Sequence, residues 1–226
     1  MIIKKKDSAT KQIQQLENLL DKDITQIQKR NIEKELKIVR SGIKGEENTS
    51  YFIDFHFSES KNWMVLHDLR FEFQGKVAQI DHLIINRLLK FYVLETKNYS
   101  DGIKINESGE FQVMYGGKFK PIESPIEQNN RHLFLLERYL NSIDSLFPKR
   151  LGFKIQPSFL SYILVSPSSK IIRPDQKTFD TSNVIKSDSF FSLIQEKGNE
   201  DSVLDLAKVI GQDTLKSLSH RIAELH

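Results

Sequence analysis

One aspartate and a Glu-x-Lys triplet carry the chemistry that can be read from this chain: Asp81, Glu95 and Lys97. They lie in its two strongest strand patterns, Gln79-Ile80-Asp81-His82-Leu83-Ile84-Ile85 and Val93-Leu94-Glu95-Thr96-Lys97. Both are rich in β-branched and aliphatic residues. If Asn86 to Lys90 forms the turn of a hairpin, Asp81 stands opposite Glu95. Lys97, two residues on, then shares the face of Glu95 and stands opposite Gln79. A slip of one residue would send the two carboxylates to opposite faces. The flanking residues are apolar, so the hairpin reads as buried. Like charges across a strand pair destabilise it. Burying carboxylates without partners costs several kcal/mol or shifts their pKa. Lys97 neutralises one of the charges, whereas a divalent cation neutralises both, and carboxylate oxygens suit Mg²⁺ or Mn²⁺. The plainer reading is that Lys97 bridges Glu95 at a strand end and Asp81 caps a turn. That reading suits an isolated Glu-x-Lys better than one with an aspartate in register.

Other candidates are weaker. His82 and His132 read as packing or hydrogen-bonding residues. His67-Asp68 has no suitably spaced histidine and aspartate partners for a metal site of the HD type. There is no glycine-rich phosphate loop. With no cysteine in the chain, thiolate metal sites, disulfides and a cysteine nucleophile are excluded. Lys118, Lys120, Lys149 and Arg150 read as solvated loop charges, and Phe190-Phe191 as core.

The elements that must position the hairpin follow from periodicity. Ile13, Leu16, Leu20, Ile24 and Ile27 form one helical stripe, continued out of phase by Ile32, Leu36 and Val39. This predicts helix over 12–40, with Asp21-Lys22-Asp23 allowing a break, and the stripe packing on the domain. Ser41-Gly42 is expected to end it, and a second helix to run from Lys44 to about Phe57. Strands are expected at 63–69, 77–86 and 91–97, with weaker ones at 103–106 and 111–115. Gly116-Gly117 reads as a hairpin turn leading to Phe119. Ser124, Pro125 and Glu127 mark a helix start with a capping box, followed by Leu133, Leu136 and Leu140. Residues 159–165 read as a buried strand, and helices are expected near 188–197, 201–210 and 213–224. One mixed α/β sheet with flanking helices results.

Composition sets the bounds. The chain has 226 residues, 38% hydrophobic and 28% charged, with fifteen phenylalanines and a net charge of +3. That supports one domain, or one with an appendage, and excludes disordered and collagen-like classes. No apolar run approaches the roughly 18 residues of a membrane span, and Lys4-Lys5-Lys6 follows the start where a secretory signal would place apolar residues. A cytoplasmic protein without a membrane partner is expected. Residues 1–44 hold eleven basic against six acidic residues. This basic segment suits an anionic partner or a solvated helical surface.

The ordered set of motifs resembles the NERD (nuclease-related) domain of the PD-(D/E)XK nuclease superfamily. The matching pieces are Gly42-Ile43-Lys44-Gly45-Glu46, His67-Asp68-Leu69, Gln79-Ile80-Asp81-His82, Leu94-Glu95-Thr96-Lys97-Asn98 and Ser124-Pro125-Ile126-Glu127-Gln128. Val165-Ser166-Pro167-Ser168 and the N-terminal stripe look like those of bacterial proteins carrying this domain alone. The resemblance implies a restriction-endonuclease-like mixed β-sheet flanked by helices. It implies a basic N-terminal helical segment over 1–41, a core over 42–165, and a C-terminal loop and helical extension over 166–226. Carried over by position, Asp81 and Glu95 would ligate Mg²⁺ or Mn²⁺. Glu46 would hold the metal or its water, and Lys97 would orient the attacking water and stabilise charge on the phosphate. Gln128 would sit at a helix start that favours phosphate. The implied activity is phosphodiester hydrolysis in nucleic acid, DNA before RNA. The rival reading is a non-catalytic nucleic-acid-binding or protein-interaction module that keeps the fold. The N-terminal helices are the candidate dimer or docking element, and the oligomeric state is left open.

Overall fold

The computed structural model describes residues 1–8, 10–99, 101–198 and 208–226. Its centre is the expected hairpin, extended on both sides into a six-stranded mixed sheet. The strands in chain order are β1 (Ile2–Lys4), β2 (Trp63–Phe73), β3 (Lys76–Asn86), β4 (Lys90–Lys97), β5 (Ile103–Ile105), β6 (Phe111–Tyr115), β7 (Lys118–Ile122), β8 (Lys149–Arg150), β9 (Phe153–Lys154), β10 (Ser158–Val165), β11 (Ile171–Ile172) and β12 (Val184–Lys186). The central sheet has the order β1-β2-β3-β4-β10-β12. β2, β3 and β4 run antiparallel, while β1, β10 and β12 join parallel.

Helices cover both faces, which is why β3, β4 and β10 read as nearly continuous apolar runs. One face packs against α2 (Gln26–Phe57) and α4 (Phe190–Gly198), through Ile53, Phe57, Ile84, Leu94, Phe190 and Ile194. The other packs against α3 (Pro125–Ser142) and α5 (Gln212–Ala223), through Leu83, Ile85, Val93, Leu136, Leu140 and Leu218. Each fully buried aliphatic side chain of this kind contributes about 1.5–3 kcal/mol.

The helical N-terminal region differs from expectation in one respect. α1 (Thr10–Leu20) and α2 are separate helices, but α2 runs without interruption through Ser41 and Gly42. The break comes earlier, at the allowed Asp21-Lys22-Asp23, and Thr25 restarts the chain with a capping box to Gln28. A glycine inside a helix costs only about 1 kcal/mol. Tertiary contacts downstream of Gly42 outweigh that. The stripe packs α1 on α2, and Ile27 stays exposed at 73%. α2 therefore spans the 41/42 position.

The weaker strands do not join the central sheet. β11, β5, β6 and β7 form their own four-stranded sheet, and β8 and β9 a short hairpin. The Gly116-Gly117 turn between β6 and β7 is present, with both glycines at positive φ, 59° and 75°. At the start of α3 only half of the capping box forms. The Glu127 backbone N–H donates to Ser124 Oγ at 3.3 Å, and Pro125 takes the first helical position. A short 3₁₀ turn, Ser187–Ser189, precedes α4. Of the helix expected near 201–210, residues 201–207 lie outside the described residues, and 208–210 are not helical.

Candidate metal and phosphodiester site

The hairpin has the register the sequence suggested. His82 pairs with Leu94, Leu83 with Val93, Ile84 with Tyr92 and Ile85 with Phe91. Beyond His82 the ladder with β3 stops, while β4 stays paired with β10 along its whole length, up to Lys97 beside Val165. Asp81 therefore stands where β3 and β4 separate. Its Oδ2 accepts the Thr96 backbone N–H at 2.7 Å, so the carboxylate closes the ladder that the backbone leaves open. Gln79 stays exposed and paired with Arg70 on β2, so it does not face Lys97. Across β2 the same level is irregular too. Asp68, the residue facing Asp81, adopts a positive φ of 50° and drops out of the pairing. A regular ladder would have placed two carboxylates side by side there.

Glu95 is buried, 3% exposed, and its two oxygens have different fates. Oε1 accepts from Lys97 Nζ at 2.7 Å, whereas Oε2 is enclosed with no hydrogen-bond partner. His132 Nδ1 on α3 lies 3.7 Å from Oε2 and has no hydrogen-bond partner of its own. Burial pushes the His132 pKa down and Glu95 opposes that shift. Burial, followed by the Glu95 charge, also raises the Tyr99 hydroxyl pKa. Asp81 is raised well above the usual carboxylate range. Desolvation is the main cause, then repulsion from Glu95, offset by the Thr96 N–H, with Glu46 adding repulsion and Lys97 relieving it. Glu95, Glu46 and Lys97 therefore all act electrostatically on Asp81.

Glu46 reaches the cluster from α2, and its placement depends on the residue before it. A Cβ on Gly45 would lie 2.5 Å from Asn98 Cβ. Asn98, the residue after Lys97, donates through Nδ2 to Ser41 O at 2.7 Å. The end of β4 is thus locked to one turn of α2, and Gly45 makes the approach possible. Glu46 Oε2 lies 2.8 Å from Lys6 Nζ.

Gln128 lies half-buried in the first turn of α3, where the resemblance placed it. Its neighbour is the residue that sequence reasoning missed. Asn129 is fully buried, and Nδ2 donates to Val93 O at 2.9 Å, Ser161 Oγ at 2.9 Å and Tyr162 O at 3.2 Å. It ties the start of α3 to β4 and β10. A basic groove was also missed. Lys76, Arg131 and Arg138 line a cavity of about 460 Å³ beside His132, with Gln74 and Phe134. Their spacing in the chain carries no signal, because they come from the start of β3 and a helix face far apart.

His82 points the other way. On the α2 face, His82 Nδ1 lies 2.7 Å from His67 Nδ1, and His67 Nε2 lies 3.0 Å from Asp54 Oδ1. The consistent tautomers put a proton on His67 Nε2 for Asp54 and one on His82 Nδ1 for His67. Burial lowers both pKa values, that of His82 strongly. This pair is a buried hydrogen-bond chain joining α2 to β2 and β3.

The donor set fits a hard divalent cation in part. Asp81 and Glu95 supply carboxylate oxygens, one of them buried and unpartnered. Among the described residues no three histidine, aspartate or glutamate side chains stand together as a ready cage. Glu46, the third carboxylate, is engaged by Lys6.

The model of the NERD family, described as a nuclease-related domain, matches residues 41–167. That is more than half of the chain, and the chain belongs to this family. The PD-(D/E)XK superfamily assignment is consistent with the match. No curated protein and no solved structure matches the chain. No described helix is long and apolar enough to cross a membrane.

Proposed function

We propose that this NERD-family protein is a divalent-metal-dependent nuclease that hydrolyses phosphodiester bonds, in DNA before RNA, inside the cytoplasm. The observation that carries the reading is the set of Asp81, Glu95 and Lys97 at the point where β3 and β4 part, with Glu95 Oε2 buried and unpartnered. An inert hairpin has little reason to keep an unmatched carboxylate oxygen there, since leaving one unsatisfied costs about 1–3 kcal/mol or more.

Asp81 and Glu95 would hold Mg²⁺ or Mn²⁺, with Glu46 joining them directly or through water. The ion would polarise the phosphate and lower the pKa of bound water. The protein's own groups do the rest. Lys97, held on Glu95 Oε1, carries a positive charge at the site and orients the attacking water toward phosphorus. It also offsets the charge that develops on the phosphate oxygens. Gln128, in the first turn of α3, lies at the positive end of the helix dipole, which favours an anion. Lys76, Arg131 and Arg138 suit the flanking phosphates of a bound strand. His132, close to the free oxygen of Glu95, limits how that carboxylate can turn.

The test is a cleavage assay with supercoiled plasmid, linear duplex, single-stranded DNA and RNA, each with Mg²⁺, Mn²⁺ or EDTA. Asp81→Ala and Lys97→Ala are run beside the unaltered chain. Metal-dependent cleavage that both substitutions remove is the expected outcome, and the preferred substrate then names the activity. Nucleic-acid binding without turnover, unaffected by Asp81→Ala, would replace this reading with that of a binding module. Cleavage surviving both substitutions would place the activity elsewhere or in a contaminant.

A further inference from the structure

The residues matched by the family begin at 41, yet one side chain at the site comes from far outside them. β1 lies parallel to β2 at the sheet edge, with Ile2 beside Val65 and Lys4 beside Leu66. The Met1 amino group donates to Phe57 O, to Ser60 O at 2.9 Å and to Trp63 O at 2.7 Å. Beyond β1 the chain is latched again. The Asp7 backbone N–H donates to Asp68 Oδ2 at 2.8 Å, Lys4 Nζ donates to Asp7 Oδ1 at 2.8 Å, and His226 Nε2 lies 3.4 Å from Asp7 Oδ2. Asp68 is the residue with positive φ on β2, across from Asp81. Its departure from the ladder turns its carboxylate to this latch.

The latch carries Lys6 to Glu46. Lys6 Nζ lies 2.8 Å from Glu46 Oε2, and the two side chains are only 17% and 33% exposed. The nitrogen is enclosed, but its contact with Glu46 is not aligned as a hydrogen bond, so none of its three N–H groups has a well-directed acceptor. A buried ammonium with unused donors is costly unless something else takes them. The acceptor-rich ligand implied at this site is a phosphate. Glu95 Oε2 has the complementary defect, a buried acceptor without a donor.

We propose that Lys6 is a substrate-contacting residue of this site: its ammonium holds Glu46 while the site is empty, and passes to a phosphate oxygen once Glu46 turns to a divalent cation. The proposal rests on the nuclease reading above. It makes the N-terminal strand part of the site, although the family match does not include it. It also explains why three carboxylates and only one other lysine, Lys97, share the cluster without a ready cage. Lys6 is the exchangeable counter-charge, and Glu46 is the ligand it keeps in reserve.

The two halves of that role have opposite signs in binding experiments, which a merely structural lysine would not reproduce. Lys6→Met and Lys6→Arg are compared with the unaltered chain, after circular dichroism has shown both to be folded. Mn²⁺ affinity is measured by calorimetry, and affinity for a fluorescent, hydrolysis-resistant phosphorothioate duplex by anisotropy at low salt with saturating Mn²⁺. Lys6→Met should bind Mn²⁺ about two- to fivefold more tightly, because a competing ion pair is gone, and the oligonucleotide about two- to fivefold more weakly. Lys6→Arg should restore the oligonucleotide affinity. Two affinities that both stay unchanged, or that move in the same direction, overturn the proposal. If Asp81→Ala abolishes Mn²⁺ binding while Lys6→Met leaves it untouched, Lys6 loses its role and the nuclease reading stands. If the unaltered chain binds neither Mn²⁺ nor oligonucleotide, both fall.

Discussion

Replacing Asp81 by asparagine should stabilise the metal-free protein, the reverse of the usual result for a polar residue in a core. Asparagine keeps an oxygen for the Thr96 N–H, now accepted at 2.7 Å, and removes the charge that Glu95 and Glu46 repel. Each pKa unit by which the fold raises a carboxyl group is worth about 1.4 kcal/mol when the group is ionised. Asp81 keeps part of its surface open to water, so its repulsions are screened. Removing a partly buried charge that lacks a full set of partners relieves about 1–3 kcal/mol. Exchanging a charge-assisted hydrogen bond for a neutral one returns about 1 kcal/mol. The net gain is about 0.5–2 kcal/mol, or roughly 1–8 °C in Tm for a chain of this size. The sign depends on pH. A carboxyl whose folded pKa is raised favours folding at low pH, and that advantage is lost as pH rises through the folded value. The asparagine chain should therefore lead at about pH 7.5 and lose its lead near pH 4. Urea unfolding of both chains in EDTA, at each pH, measures this. An asparagine chain less stable by more than about 1 kcal/mol at pH 7.5, or a difference constant across pH, would refute the electrostatic argument. Excess Mn²⁺ should reverse the order, since only the aspartate chain gains strongly from binding.

Two glycines of one helix should respond oppositely to alanine. Gly42→Ala meets nothing within 4 Å and should stabilise α2 by about 0.5–1 kcal/mol. Gly45→Ala collides with Asn98, should cost about 1–3 kcal/mol in urea unfolding, and should weaken Mn²⁺ binding by displacing Glu46. The acid limb of the stability curve belongs to His67, His82 and His132, whose pKa values are all lowered by burial. The unfolded chain takes these protons first, so stability is full above about pH 6.5 and falls below it, by up to about 1.4 kcal/mol per pH unit for each group. In the Asp81→Asn chain, where the opposing contribution of Asp81 is gone, unfolding free energy should drop by about 1–3 kcal/mol between pH 7 and 5.5. A flat profile there would mean that these histidines take up protons in the folded state.

The hairpin and its register were legible in the sequence because they are local. Alternation along β3 and β4 and a short turn are enough to set Asp81 at the level of Glu95, with Lys97 two residues on. The start of α3 was legible for the same reason, as Ser124 and Pro125 act within one turn. The family's ordered motifs then assigned Glu46 and Gln128 to positions that composition and periodicity left unmarked. What the sequence could not disclose depends on contacts between distant segments. Ser41-Gly42 reads locally as a stop, but Asn98, 57 positions away, binds that turn of α2 and the helix continues. His67, His82 and Asp54 carry no pattern until three elements meet. Asn129 looks like any polar residue in a helix until β4 and β10 present their carbonyls to it. Lys6 is one of three consecutive lysines, and nothing in that run singles it out. Only the pairing of β1 with β2, and the turn of Asp68 out of the ladder, bring it to Glu46. Local spacing determined which residues share a face. Long-range packing decided which charges are paired, which are left over, and so what the site is ready to bind.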